Sequence, residues 1–157
     1  MAQSLIKKIF SSLRKIFSSG KPKERRARKR FPPRKNTTIL IVDDSRTMVY
    51  MLKSMLEPAG YNTLEAGSGE QAIEMAKLHC PSLILMDVVM PGMNGFQATR
   101  MLRKDSVTAN IPIIIISATE QPTEEIWSKR LGANGFMSKP IARGMLFGKL
   151  EQILLHA

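Results

Sequence analysis

From Thr37 onward the sequence predicts an α/β fold, a doubly wound five-stranded parallel sheet with helices on both faces. Three observations carry it. Near-continuous Ile/Leu/Val runs without polar alternation recur, as strands buried on both faces require. Helix-length segments bounded by turn residues separate those runs. Polar markers then follow the apolar runs: Asp43-Asp44, Asp87, Ser117 and Lys139-Pro140. The C-terminal ends of parallel strands share one edge, so markers far apart in sequence converge there.

The first strand is Thr38–Val42, Thr-Ile-Leu-Ile-Val, and it delivers Asp43-Asp44. A helix follows over about Ser45 to Glu57, stopped by Pro58 and Gly60. The second strand spans about Tyr61 to Ala66, and the second helix Ser68 to His79 with Ser68 as N-cap. The third strand, Ser82–Met86, leads to Asp87 and the loop Val88-Val89-Met90-Pro91-Gly92-Met93-Asn94. The third helix runs from Gly95 to about Lys104, and the fourth strand from Ile111 to Ile116, ahead of Ser117. The fourth helix covers about Thr123 to Leu131, the fifth strand Gly135–Ser138, and the last helix about Arg143 to Leu155.

Charge divides the chain. Residues 1–36 hold 13 Lys/Arg against one acid, Glu24, whereas residues 37–157 hold 11 basic and 12 acidic side chains. The net +11 therefore belongs to the tail, and the basic balance does not make the folded part a nucleic-acid binder. The single cysteine, Cys80, cannot form an internal disulfide. It falls at a helix end and reads as an inert small hydrophobe in a reducing compartment. Two histidines and one cysteine give no zinc-ligand spacing.

Residues 1–20 contain a near-repeat of seven, Ile6-Lys-Lys-Ile-Phe-Ser-Ser then Leu13-Arg-Lys-Ile-Phe-Ser-Ser. On a helix, Leu5, Ile6, Ile9, Phe10, Leu13, Ile16 and Phe17 share an arc of roughly 140°, opposite Lys7, Lys8, Arg14 and Lys15. This amphipathic segment reads as a helix lying in a membrane interface or docking in a partner groove. A cleaved targeting presequence and a disordered tail are the remaining readings. It is too short and too charged to span a bilayer. Residues 21–36, with nine Lys/Arg between Lys21 and Lys35, have a composition that cannot bury a core and read as a disordered basic linker. It fits anionic lipid head groups at least as well as nucleic acid, for which no reading module follows. The domain expectation is thus 1–20, 21–36 and a globular 37–157.

Asp43, Asp44 and Asp87 at one edge would crowd three negative charges, which calls for a hard divalent cation such as magnesium. A carboxylate at the centre of such a site serves as a nucleophile for phosphoryl transfer. Lys139 and Ser117 supply an ammonium and a hydroxyl for the equatorial phosphoryl oxygens. Singly, Asp43-Asp44 would read as helix caps, Asp87 as a loop acid and Lys139 as a surface charge; their joint placement at strand ends argues otherwise.

Residues 37–157 resemble the receiver domain of bacterial two-component response regulators. The resemblance rests on Ile-Leu-Ile-Val-Asp43-Asp44-Ser, Leu-Met-Asp87-Val-Val-Met-Pro-Gly-Met-Asn-Gly95, Ile-Ser117-Ala118 and Ser-Lys139-Pro140. The spacings of 43, 30 and 22 residues from Asp44 through Asp87 and Ser117 to Lys139 make it specific. It implies a flavodoxin-like fold with strand order 2-1-3-4-5. It further implies that Asp87 accepts phosphate from a histidine kinase or histidine phosphotransfer domain. Asp43, Asp44, Asp87 and the Val89 carbonyl would bind magnesium, Pro140 would be cis, and Ser117 and Phe136 would form the switch pair. Val89 and Thr119 match the positions flanking water attack on the phosphate.

The stretches Gly95 to Asp105 and Ile126 to Ala133 resemble the PilH branch of twitching-motility regulators, which act in chemotaxis-like control of type IV pili. The basic extension departs from that branch.

The expectation is a stand-alone signalling module, not an enzyme beyond its own phosphorylation and dephosphorylation. Its output would be the surface of the fourth helix, fifth strand and fifth helix, and its place the cytoplasm, peripheral to the inner membrane face. A haloacid-dehalogenase-type phosphatase is disfavoured, because that family needs an acid where Val89 stands. An anchored adaptor or phosphate sink is the alternative. Trp127 reads equally as a packing residue or an exposed docking residue.

Overall fold

The structure is a computed structural model that describes residues 36–119 and 121–155. The amphipathic segment from Leu5 to Phe17 and the linker to Lys35 lie outside the described residues. Among the described residues five strands and five α-helices alternate: β1 Thr38–Val42, α1 Arg46–Leu56, β2 Asn62–Ala66, α2 Gly69–His79, β3 Leu83–Asp87, α3 Gly95–Lys104, β4 Ile113–Ser117, α4 Pro122–Arg130, β5 Gly135–Ser138 and α5 Arg143–Leu154. All neighbouring strands are parallel and the sheet order is β2-β1-β3-β4-β5. Doubly wound order and topology are as the sequence predicts.

Within each apolar run the pleat sends alternate residues to opposite faces. Ile39, Ile41, Leu83, Leu85 and Ile114 join one core with Leu52 and Leu56 of α1 and Leu146 and Leu150 of α5. Leu40, Val42, Ile84, Met86 and Ile113 join a second core with Ala72 and Ala76 of α2 and Ala98 and Leu102 of α3. Both faces are covered, so the strand runs can be apolar throughout. At about 2 kcal/mol per fully buried aliphatic side chain, this burial dominates the favourable side of folding.

Helix starts follow their local chemistry. Ser45, Ser68 and Asn94 accept hydrogen bonds from Met48, Gln71 and Gln97 backbone N–H groups, and Asn94 and Gln97 complete a capping box. α4 begins at Pro122, one residue before the expected start, because proline fits the first helical position.

Three strands start later than expected, β3 by one residue at Leu83 and two others for reasons visible in the backbone. The Tyr61 N–H bonds to the Leu56 carbonyl at the end of α1, so β2 begins at Asn62. The Ile111 N–H closes a turn on the Thr108 carbonyl and Pro112 has no N–H, so β4 begins at Ile113. Cys80 is also corrected. It caps α2 in the left-handed conformation (φ 43°) and is exposed, not a packed hydrophobe.

Candidate functional site

Register brings the polar markers together. Val42 pairs with Met86, Asp87 with Ile116, and Ser117 with Ser138. Asp43, Asp87, Ser117 and Lys139 therefore leave the sheet within a residue or so of one another at its C-terminal edge. Asp43 is held by its backbone N–H to the Ala66 carbonyl, 3.1 Å, and accepts from the Ser45 N–H at 2.8 Å. Lys139 is held by its backbone N–H to the Ser117 carbonyl, 2.7 Å, and the Lys139–Pro140 peptide is cis, as expected.

The Lys139 ammonium reaches both acids, 2.7 Å from Asp87 Oδ1 and 3.1 Å from Asp43 Oδ2. Asp43 and Asp87 are buried and Asp44 is exposed; oxygens from all three carboxylates lie within 4.8 Å of one another. Burial raises the Asp87 pKa, the hydrogen bond from Lys139 pulls it back, and the neighbouring charges of Asp43 and Asp44 raise it further. Burial also works against the charge on Lys139, but its bonds to Asp87 and Asp43 outweigh that and raise its pKa. One ammonium thus stays charged without offsetting three carboxylates. An all-oxygen cluster with surplus negative charge fits a hard divalent cation of the magnesium type.

The loop after Asp87 is pinned on both sides. The Val88 N–H bonds to the Ile116 carbonyl and the Gly95 N–H to the Val88 carbonyl, each at 3.0 Å. Glu70 on α2 accepts the Met93 N–H at 3.1 Å, and a Cβ on Gly69 would sit 2.7 Å from the Met93 carbonyl. A Cβ on Gly95 would lie 2.0 Å from the Asp87 carbonyl oxygen. Val89, two residues beyond Asp87, is 71% exposed. The Thr119 hydroxyl is buried and has no hydrogen-bond partner among the described residues.

Two expected positions sit differently from the acids. The Ser117 hydroxyl accepts from the Thr119 N–H at 3.1 Å and donates to a Glu124 carboxylate oxygen, not to Asp87. Phe136 is partly buried against the α2–α3 core. Trp127 is 57% exposed beside exposed Ile126, with the Arg130 guanidinium 5.8 Å from its ring centre, so it is a surface residue of α4. Sequence reading did not single out Glu70, Glu124 or Gly95 as site-shaping residues. The two acids had no signal beyond being first-turn acids; Gly95 stood inside a quoted motif without its steric reason.

Known proteins resemble this chain in sequence and fold. The family model described as the response regulator receiver domain matches residues 39–151. Protein PilH of Pseudomonas aeruginosa is 45% identical over 116 residues, which covers 74% of this chain and 96% of that protein. Among solved structures, the chemotaxis protein CheY4 of Vibrio cholerae aligns with a TM-score of 0.71 at 30% identity, covering 75% of this chain and 98% of that one. A putative response regulator from Chloroflexus aurantiacus aligns at 0.74 and 32% identity, over 77% and 99%. With the strand order and the acid–ammonium edge, these matches place the chain in the response regulator receiver domain family.

Proposed function

We propose that Asp87 accepts a phosphoryl group from a histidine kinase or histidine phosphotransfer domain and that the signal leaves through the α4–β5–α5 surface. The observation that carries this is the Lys139 ammonium bridging Asp87 and Asp43 beside the three-carboxylate cluster. Lys139 occupies one Asp87 oxygen, which leaves the other as nucleophile. A phosphorus–oxygen bond forms there while the phosphorus–nitrogen bond of the donor breaks, its electron pair staying on the imidazole. Asp43, Asp44, Asp87 and the Val89 carbonyl would hold magnesium, which neutralises phosphoryl oxygens when bound. Lys139 and the Ser117 hydroxyl serve the remaining oxygens, and Phe136 follows the hydroxyl inward. Kinship with PilH supports a place in chemotaxis-like control of type IV pili or related motility. Residues 1–36 would tether the receiver to an anionic membrane surface through their apolar arc and basic linker.

Incubation with acetyl phosphate and magnesium tests the core of the reading. Stoichiometric, acid-labile, slowly lost label is expected, and Asp87→Asn should abolish it. Rapid turnover would mean a phosphatase, no label an adaptor, and full labelling of Asp87→Asn would move the acceptor elsewhere.

A further inference from the structure

The Ser117 hydroxyl is committed away from Asp87. Its oxygen accepts the Thr119 N–H, and its proton goes to Glu124 on the first turn of α4. Ser117 is buried and Glu124 half-buried, so competition from water is limited. A hydroxyl has a single proton to donate. Donation to Glu124 and donation to a phosphoryl oxygen on Asp87 are therefore mutually exclusive.

We propose that Glu124 is a positioning residue that holds the Ser117 hydroxyl off the phosphorylation site, so that phosphorylation must take the proton from Glu124 and in doing so frees the first turn of α4. This rests on Asp87 being the phospho-acceptor. α4 is suited to such release. Only Ser128 of its nine residues is buried, and its N-cap, Gln121, makes no side-chain capping bond. α1, α2 and α3 have free N–H groups bound by capping side chains, whereas the Ser117–Glu124 bond satisfies no N–H of α4 and instead ties its first turn to the end of β4. Once the hydroxyl turns to the phosphoryl group, Glu124 loses its donor. A half-buried carboxylate without a partner favours water, which moves the turn outward. Exposed Ile126 and Trp127 ride on that same helix, so the release reaches the outer surface of α4 directly.

The test is the initial rate of acid-labile labelling at subsaturating acetyl phosphate with magnesium. Glu124→Ala and Glu124→Gln are each measured with Ser117 present and with Ser117→Ala. Glu124→Ala should label about three- to tenfold faster than wild type, since a charge-assisted bond no longer opposes the hydroxyl's turn. Glu124→Gln still accepts, through a neutral and weaker oxygen, and should fall between the two. With Ser117→Ala, residue 124 should no longer matter. Loss of a nearby negative charge, or loosening of α4, would change rates equally in both backgrounds, and that result overturns the proposal. So do equal rates for wild type and Glu124→Ala. If wild-type protein takes no label at all, the phospho-acceptor reading itself has failed, and this inference falls with it.

Discussion

The acceptor's placement depends on single atoms in the residues around it. Gly95 opens α3 with its Cα against the Asp87 carbonyl, where an added Cβ would stand 2.0 Å from the oxygen and 2.9 Å from the carbonyl carbon. Real structures do not sustain such a contact, and its target is backbone, so either α3 or the end of β3 has to shift. Gly95→Ala should therefore cost on the order of 3 kcal/mol in urea unfolding and also slow labelling of Asp87. A variant as stable and as readily labelled as wild type would show that the loop absorbs the methyl group. Glu70 illustrates the same dependence from another element. Hydrogen bonding to backbone N–H groups lowers its pKa, so it is a charged acceptor for Met93 across the neutral range.

Between elements, Arg103 ties together two loops of the sheet's far end. Arg103, at the end of α3, donates to the carbonyls of Ala109 and Ile111 before β4 and to the Gly132 carbonyl and Asn134 side chain before β5. Burial lowers its pKa, yet the guanidinium stays charged and its planar fork fits four acceptors at once. An ammonium cannot reproduce that fork. Arg103→Lys should lose about 2 kcal/mol by chemical denaturation, discounted for partial exposure, because carbonyls lose donors on two loops together. An unchanged midpoint would mean that water replaces the guanidinium without penalty. These loops feed β4, which ends at Ser117, and β5, which Lys139 follows, so the clamp supports the site from the far end of the sheet.

For the molecule as a whole, the basic tail and the receiver make separate demands. Among the described residues no helix is long and apolar enough to cross a membrane. Anchoring through residues 1–36 would combine seven apolar side chains, each contributing on the order of 1 kcal/mol after partial burial. The basic linker adds up to about 1 kcal/mol per charge at an anionic surface, less with screening. Full-length protein should co-sediment with anionic liposomes and lose binding as salt rises. Phe10→Ser with Phe17→Ser should abolish binding. A chain beginning at Asn36 should stay in solution yet take label on Asp87 at the wild-type rate. Binding to neutral liposomes as strong as to anionic ones would reject the electrostatic half of this account.

Hydrophobic runs, capping serines and the spacing of Asp44, Asp87, Ser117 and Lys139 were enough to determine the fold class, the strand order through family resemblance, and the acids and ammonium of the site. These are local patterns and parallel-sheet geometry, and both are written along the chain. Tertiary structure alone decided what each polar atom touches. Pro112 and a turn bond at Ile111 trimmed β4, and a left-handed cap exposed Cys80. The Ser117 proton went to Glu124, seven residues on, because the first turn of α4 brings that carboxylate to the end of β4. No periodicity encodes that return, since a first-turn acid looks the same whether it faces solvent or a buried hydroxyl.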